Sequence, residues 1–185
     1  MRKNSGPLFA ILVGAMLFSC NSAESAGASQ LPARSAVPTE SRWSLEDIYP
    51  SDEAWQNDFD RLKSLLPQIS VYQGTLEKSG ENLFACLSLR DEIGITSSKV
   101  FAYARMRRDE NTADSKYQAM TSRIENLLAE VGAATAFIEP DILALPEEKL
   151  ADFRRTEPSL APYAFYFDNL LRQKKHVLSQ PEEAL

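Results

Sequence analysis

Histidine is nearly missing: His176 is the one imidazole in 185 residues. A catalytic metal site draws several His, Cys or carboxylate ligands from defined spacings, and H-E-x-x-H cannot occur in this chain. Nor does it contain a G-x-S-x-G elbow, a phosphate-binding glycine loop or a paired-cysteine metal motif. His176 stands beside two lysines at a predicted helix end, where it reads as structural or solvent-facing. Cysteine is scarce too, and Cys20 with Cys86 allows at most one disulfide. Cys86 lies on the apolar face of a predicted helix and reads as a small core hydrophobe. Basic charge falls short of acidic charge, and a net −6 argues against nucleic acid as a main partner.

Seven glycines and no notable β-alternating runs favour helices, so the expected fold class is all-α. Proline is absent between Pro67 and Pro140, which leaves room for two long helices. The first opens at Ser79, a candidate N-cap, and carries Cys86, Leu89, Ile93, Val100 and Tyr103 on one face. Gly94 and the polar Thr96-Ser-Ser98 are expected to weaken it locally. The second starts after Asp114 or Ser115, with the stripe Tyr117, Met120, Ile124, Leu127, Val131, Ala134 and Ile138. The short polar loop Asp109-Glu-Asn-Thr-Ala-Asp114 makes the pair an antiparallel hairpin. These stripes read as core.

Helices flank the hairpin. Ser51 caps a pattern of Trp55, Phe59, Leu62, Leu66 and Ile69, which Pro67 is expected to limit to about four turns. Before it, Trp43-Ser-Leu-Glu-Asp-Ile-Tyr49 supplies the first large anchoring side chains. Gln73-Gly74-Thr75 reads as a turn, and Pro140 should kink or end the hairpin's second helix. Pro146-Glu-Glu-Lys149 starts a short helix that ends at Glu157-Pro158. Another helix from about Pro162 carries Tyr163, Phe167 and Leu170, then the basic run Arg172 to His176. About five helices should cover more than half of residues 42–185.

Both ends of the chain carry signals of a different kind. Arg2 and Lys3 precede an apolar run, Leu8 to Phe18, too short to span a bilayer comfortably and suited to a signal-peptide core. It ends in Leu17-Phe18-Ser19-Cys20, which resembles the lipobox of bacterial lipoproteins, whose cysteine carries the lipid. Residues 1–19 then form the signal peptide and Cys20 the lipidation site; ordinary cleavage near Ala23 to Ala28 is the alternative. Residues 20–41, rich in Ser, Ala, Gly and Pro, form a flexible tether in this reading. At the other end, Ser179-Gln-Pro-Glu182 is a capping box that announces a helix only a few residues before the last position, so the helical region 42–185 reads as incomplete.

Chemistry is thinly provided elsewhere. Glu139 and Asp141 flank Pro140 as neighbouring carboxylates and read as a solvated helix end. Arg105-Met-Arg-Arg108 suits an anion or a peptide carboxylate, but reads first as a helix-end charge run facing Asp109, Glu110 and Asp114. No catalytic or metal-ligating residue is assigned.

Five blocks in order carry a family resemblance. They are Trp43 to Tyr49, Tyr103-Ala-Arg-Met-Arg-Arg-Asp-Glu-Asn-Thr112, Tyr117-Gln-Ala119, Phe137 to Glu148, and Arg172 to Ser179 with Glu182-Glu183. Together they resemble the N-terminal region of oligoendopeptidase F enzymes, over about residues 42–185. The resemblance implies the N-terminal lobe of an almost wholly helical shell that forms part of the substrate channel. It also implies a zinc metalloendopeptidase with oligopeptide substrates, whose zinc ligands and general-base glutamate lie in a later segment without counterpart here. This chain is therefore expected to bind no zinc and to be inactive alone. A lipid-anchored helical binding protein of the bacterial envelope, held to the membrane through Cys20, is the alternative; the family itself is usually cytoplasmic.

Overall fold

The computed structural model describes residues 36–174. Cys20, His176 and the capping box at Ser179 lie outside the described residues. The chain falls into two units divided between Ser41 and Arg42, each taken by itself. In the described part of the first, a 3-10 turn spans Thr39–Ser41, where Ser41 N donates to Pro38 O at 2.9 Å.

Among its described residues the second unit holds six α-helices: α1 Asp52–Ser70, α2 Gly80–Glu110, α3 Ser115–Thr135, α4 Ile138–Ala144, α5 Glu147–Thr156 and α6 Ala164–Gln173. No strand occurs among the described residues. Local chemistry sets the starts. Ser51 Oγ accepts from Ala54 N at 3.2 Å, with Asp52 and Glu53 in the first turn of α1. Ser79 Oγ accepts from Asn82 N at 3.1 Å, and Asn82 Nδ2 donates back to Thr75 O at 2.8 Å. That bond fixes the turn in which Gly74 takes a φ of +66°, a conformation that favours glycine. Asp114, not Ser115, caps α3, accepting from Lys116 N at 2.9 Å.

Helices α1, α2 and α3 pack pairwise into an up-down-up core. Contacts pair Trp55 with Val100 and Arg61 with Glu92, which sets α1 antiparallel to α2. Thr121 Oγ1 donates to Ala104 O at 3.1 Å and ties α3 to α2. Trp55 is fully buried, stacks on Phe59 at 5.2 Å and donates its indole N–H to Val100 O at 2.8 Å. Helix α5 and the 3-10 segment Pro158–Tyr163 lie against α2, and α6 meets α4. Of the predicted stripes, Cys86, Ile93, Val100, Tyr103, Met120, Ile124 and Leu127 are buried, while Leu89, Tyr117, Val131 and Ala134 are half-buried.

Several expectations are corrected. Helix α1 continues past Pro67 to Ser70, because Pro67 and Lys63, whose carbonyl loses its usual partner, are both exposed to water. Helix α2 runs unbroken through Gly94 and Thr96-Ser-Ser98. Thr96 and Ser97 are buried against neighbouring helices, and tertiary packing outweighs weak local propensity. Ile138 does not extend α3; it begins α4, in which Pro140 sits in the first turn, where an N–H has no helical partner to lose. That added helix brings the number among the described residues to six. In the segment before α1, Leu45 and Tyr49 are the buried anchors, while Trp43 is 78% exposed.

Candidate functional site

A polar cluster joins three chain segments at the hairpin end of the core. Tyr103 at the end of α2 donates its hydroxyl to Asp52 Oδ1 at 2.8 Å. Tyr117 on α3 donates to Asp52 Oδ2 at 3.4 Å, and the Lys116 ammonium pairs with the same oxygen. One carboxylate at the start of α1 thus gathers two hydroxyls and a cation from the hairpin. Burial works to raise the Asp52 pKa, but hydrogen bonds from Lys116 and Tyr103 and the charges of Lys116 and Arg107 outweigh it, so the net shift is downward. Burial pushes the Tyr103 hydroxyl upward.

Arg107 forms the second node. Its guanidinium reaches Glu46 at 2.7 Å and Glu110 at 3.2 Å and lies 5.2 Å from the Tyr103 ring centroid. Burial opposes its charge, but hydrogen bonds with Tyr103, Glu46 and Glu110 hold it protonated. The expected helix-end charge run is therefore only partly local. Arg105 pairs with Asp109 at 3.3 Å and Arg108 with Asp109 at 3.5 Å. Asp114 faces its own helix as a cap, and Glu46, 61 residues before Arg107, takes the place assigned to it. This cluster fastens the hairpin to the segment before α1. Its charges satisfy each other, and it presents no free nucleophile or base.

The remaining sequence candidates are dispersed. Asp141 accepts from Gly74 N at 2.6 Å and pins that turn, while Glu139 is exposed, so the pair forms no acid–base couple. Cys86 is fully buried, and burial pushes its thiol up to about 11. Among the described residues no group of three His, Cys, Asp or Glu is placed to hold a metal ion. Also among the described residues, no helix is long and apolar enough to cross a membrane.

Sequence reading missed Asp52 as a junction, because it looks like an ordinary first-turn acid. It also missed a second cluster on the middle of α2. There Tyr163 donates to Asp91 at 2.6 Å, and Arg90 lies 4.6 Å from the Tyr166 ring centroid. Partners 72 residues apart leave no spacing signal.

The same helical arrangement occurs in solved peptidases. A putative peptidase from Chlamydophila abortus matches with a TM-score of 0.71 and 26% identity, over 84% of this chain and 26% of that one. Oligoendopeptidase-F from Enterococcus faecium matches with a TM-score of 0.63 and 26% identity, over 72% of this chain and 26% of that one. The helical unit thus has the architecture of a peptidase lobe. In sequence, residues 141–185 match the family described as Oligopeptidase F. Oligopeptidase PepF of Bacillus subtilis (strain 168) is 39% identical over 163 residues, 88% of this chain and 24% of the relative. The plasmid oligoendopeptidase F of Lactococcus lactis subsp. cremoris is 31% identical over 153 residues, 82% of this chain and 26% of the relative. The chain belongs to the oligoendopeptidase F family and corresponds to its N-terminal region. It spans about a quarter of the length of the curated relatives it matches.

Proposed function

We propose that this chain forms one helical wall of the substrate channel in an oligoendopeptidase F-like zinc metalloendopeptidase that cleaves oligopeptides. The carrying observation is that the helical unit matches about a quarter of the solved oligoendopeptidase-F chain. Hydrolysis of this kind needs a zinc-bound water and a base to activate it. In this reading those residues belong to sequence outside the chain, and the lobe restricts access to short, flexible peptides. The Asp52 and Arg107 clusters contribute by holding the hairpin rigid. The test is to express the reading frame with its continuation beyond Leu185. A downstream H-E-x-x-H together with chelator-sensitive peptide cleavage supports the proposal; a stop codon directly after Leu185 contradicts it.

For the N-terminus we propose export and lipid attachment at Cys20, with residues 20–41 as tether and 42–185 as the helical region. The support is Leu17-Phe18-Ser19-Cys20 after an apolar run of signal-peptide length. Acyl chains would supply the membrane affinity. Fatty-acid label should enter the wild-type protein and disappear in Cys20→Ala; an unlabelled wild type contradicts this.

A further inference from the structure

Helices α5 and α6 face each other across a groove of about 340 Å³, lined by Glu147, Glu148, Leu150, Ala151, Arg154 and Leu171. Both helices lean on the 3-10 segment Pro158–Tyr163 more than on each other, which leaves the groove unfilled. The ion pair of Arg154 with Asp168, at 2.8 Å, spans one end of it. Its floor is apolar, with Leu150 buried, Leu171 half-buried and Ala151 exposed. Its rim is acidic. The cations of α5 are engaged elsewhere: Lys149 reaches Glu77 at 3.8 Å, Arg154 holds Asp168, and Arg155 pairs with Asp152. Glu147 and Glu148 are exposed and have no cation partner among the described residues. First-turn acids suit the start of a helix, and beside an apolar floor they also set the sign of whatever covers it.

We propose that the groove is covered by this chain's own residues Lys175 to Leu178. Lys175 and His176 stand at the Glu147 and Glu148 rim, and Val177 and Leu178 lie on Leu150, Ala151 and Leu171. The order of the segment, cationic and then apolar, matches the groove, and the acidic pair Glu182 and Glu183 falls beyond it. Reach permits the docking. The chain leaves α6 at Lys174, about 5 Å along the axis past Leu171. From there to Leu178 an extended chain spans up to about 13 Å, enough to turn back. The family match also runs unbroken over residues 141–185, so α5, α6 and the docking segment belong to one sequence block. Covalent connection gives the segment a high effective concentration at the groove, an advantage that no free ligand shares. Docked in this way, the segment fixes the direction in which the chain leaves the helical unit.

This inference goes beyond the channel role and does not depend on it. The test uses the whole chain with labelled Leu and Val methyl groups. Nuclear Overhauser contacts should join the Leu178 methyls to those of Leu171 and Leu150. Trypsin cleavage after Lys175, followed by mass spectrometry, gives a second readout, because cleavage tracks the undocked fraction. Ala151→Lys, at an exposed site remote in sequence from the cleaved bond, should remove the contacts and speed that cleavage. Glu147→Gln combined with Glu148→Gln should speed it about threefold, the scale of an exposed ion pair, and high salt should do the same to the wild type. Absence of contacts from Val177 and Leu178 to the groove would overturn the proposal. So would cleavage indifferent to both the Ala151 and the glutamate variants. Contacts that prove intermolecular in a mixed-label sample would also overturn it, by making a second copy the occupant. None of these readouts involves peptide hydrolysis by the chain, so failure here leaves the channel role to its own test.

Discussion

Two glycines of one helix should respond to the same substitution with opposite sign. Gly80 is the first residue of α2, where the helix presses against the end of α5. A Cβ built there would lie 2.8 Å from the Glu157 Cβ and 3.4 Å from the Phe153 Cβ. Those carbons are fixed to backbone, so a helix must shift to make room. Overpacking of this kind costs about 1–3 kcal/mol. The better helix propensity of alanine returns at most about 1 kcal/mol, and less at a first-turn position. Gly80→Ala should therefore destabilise by about 1–2 kcal/mol. Gly94, mid-helix, has nothing within 4 Å of its would-be Cβ. Gly94→Ala should stabilise by about 0.5–1 kcal/mol. Urea unfolding followed by far-UV circular dichroism reads both, and at ordinary slopes the two midpoints should differ by roughly 1 M. A Gly80→Ala protein at least as stable as the wild type would refute the close packing of α2 on α5.

Asp52→Asn removes the charge that pairs with Lys116 and strengthens the Tyr103 hydrogen bond, and should destabilise the fold at neutral pH. The folded-state pKa of Asp52 is depressed, so its contribution is complete above the unfolded value and is lost as pH falls through the folded one. The gap between wild type and Asp52→Asn should thus close in acid; a constant gap across pH 2 to 7 would contradict the Asp52 junction. Cys86, whose thiol burial pushes up to about 11, should resist alkylation in the native state and react at once in denaturant, read in a Cys20→Ala background. Rapid native-state labelling would contradict its place in the core.

Much of this fold can be read from residue spacing alone. The α3 stripe Met120, Ile124 and Leu127 repeats at helical period and is buried, and Ser51 and Ser79 cap the helices they announce. Local rules failed where the environment decides. Pro67 is tolerated because its helix face is wet, and Thr96 and Ser97 stay helical because α2 is packed along much of its length. Pro140 marks a helix beginning as readily as one ending, and only its neighbours distinguish the two. The polar clusters were the least legible. Arg107 with Glu46 and Tyr163 with Asp91 meet only after the chain has folded back on itself. By contrast, the sequence alone excludes H-E-x-x-H from this chain.

The central proposal is that this chain shapes a peptidase channel without performing the chemistry. Its most direct test is hydrolysis of fluorogenic oligopeptides by the purified 185-residue chain in zinc, with and without chelator, beside the product of the longer reading frame. The account predicts no cleavage by the chain and chelator-sensitive cleavage by the longer product, since a chain with one imidazole cannot contain the paired histidines of H-E-x-x-H. Chelator-sensitive cleavage that co-elutes with the 185-residue chain and disappears in His176→Ala would contradict it.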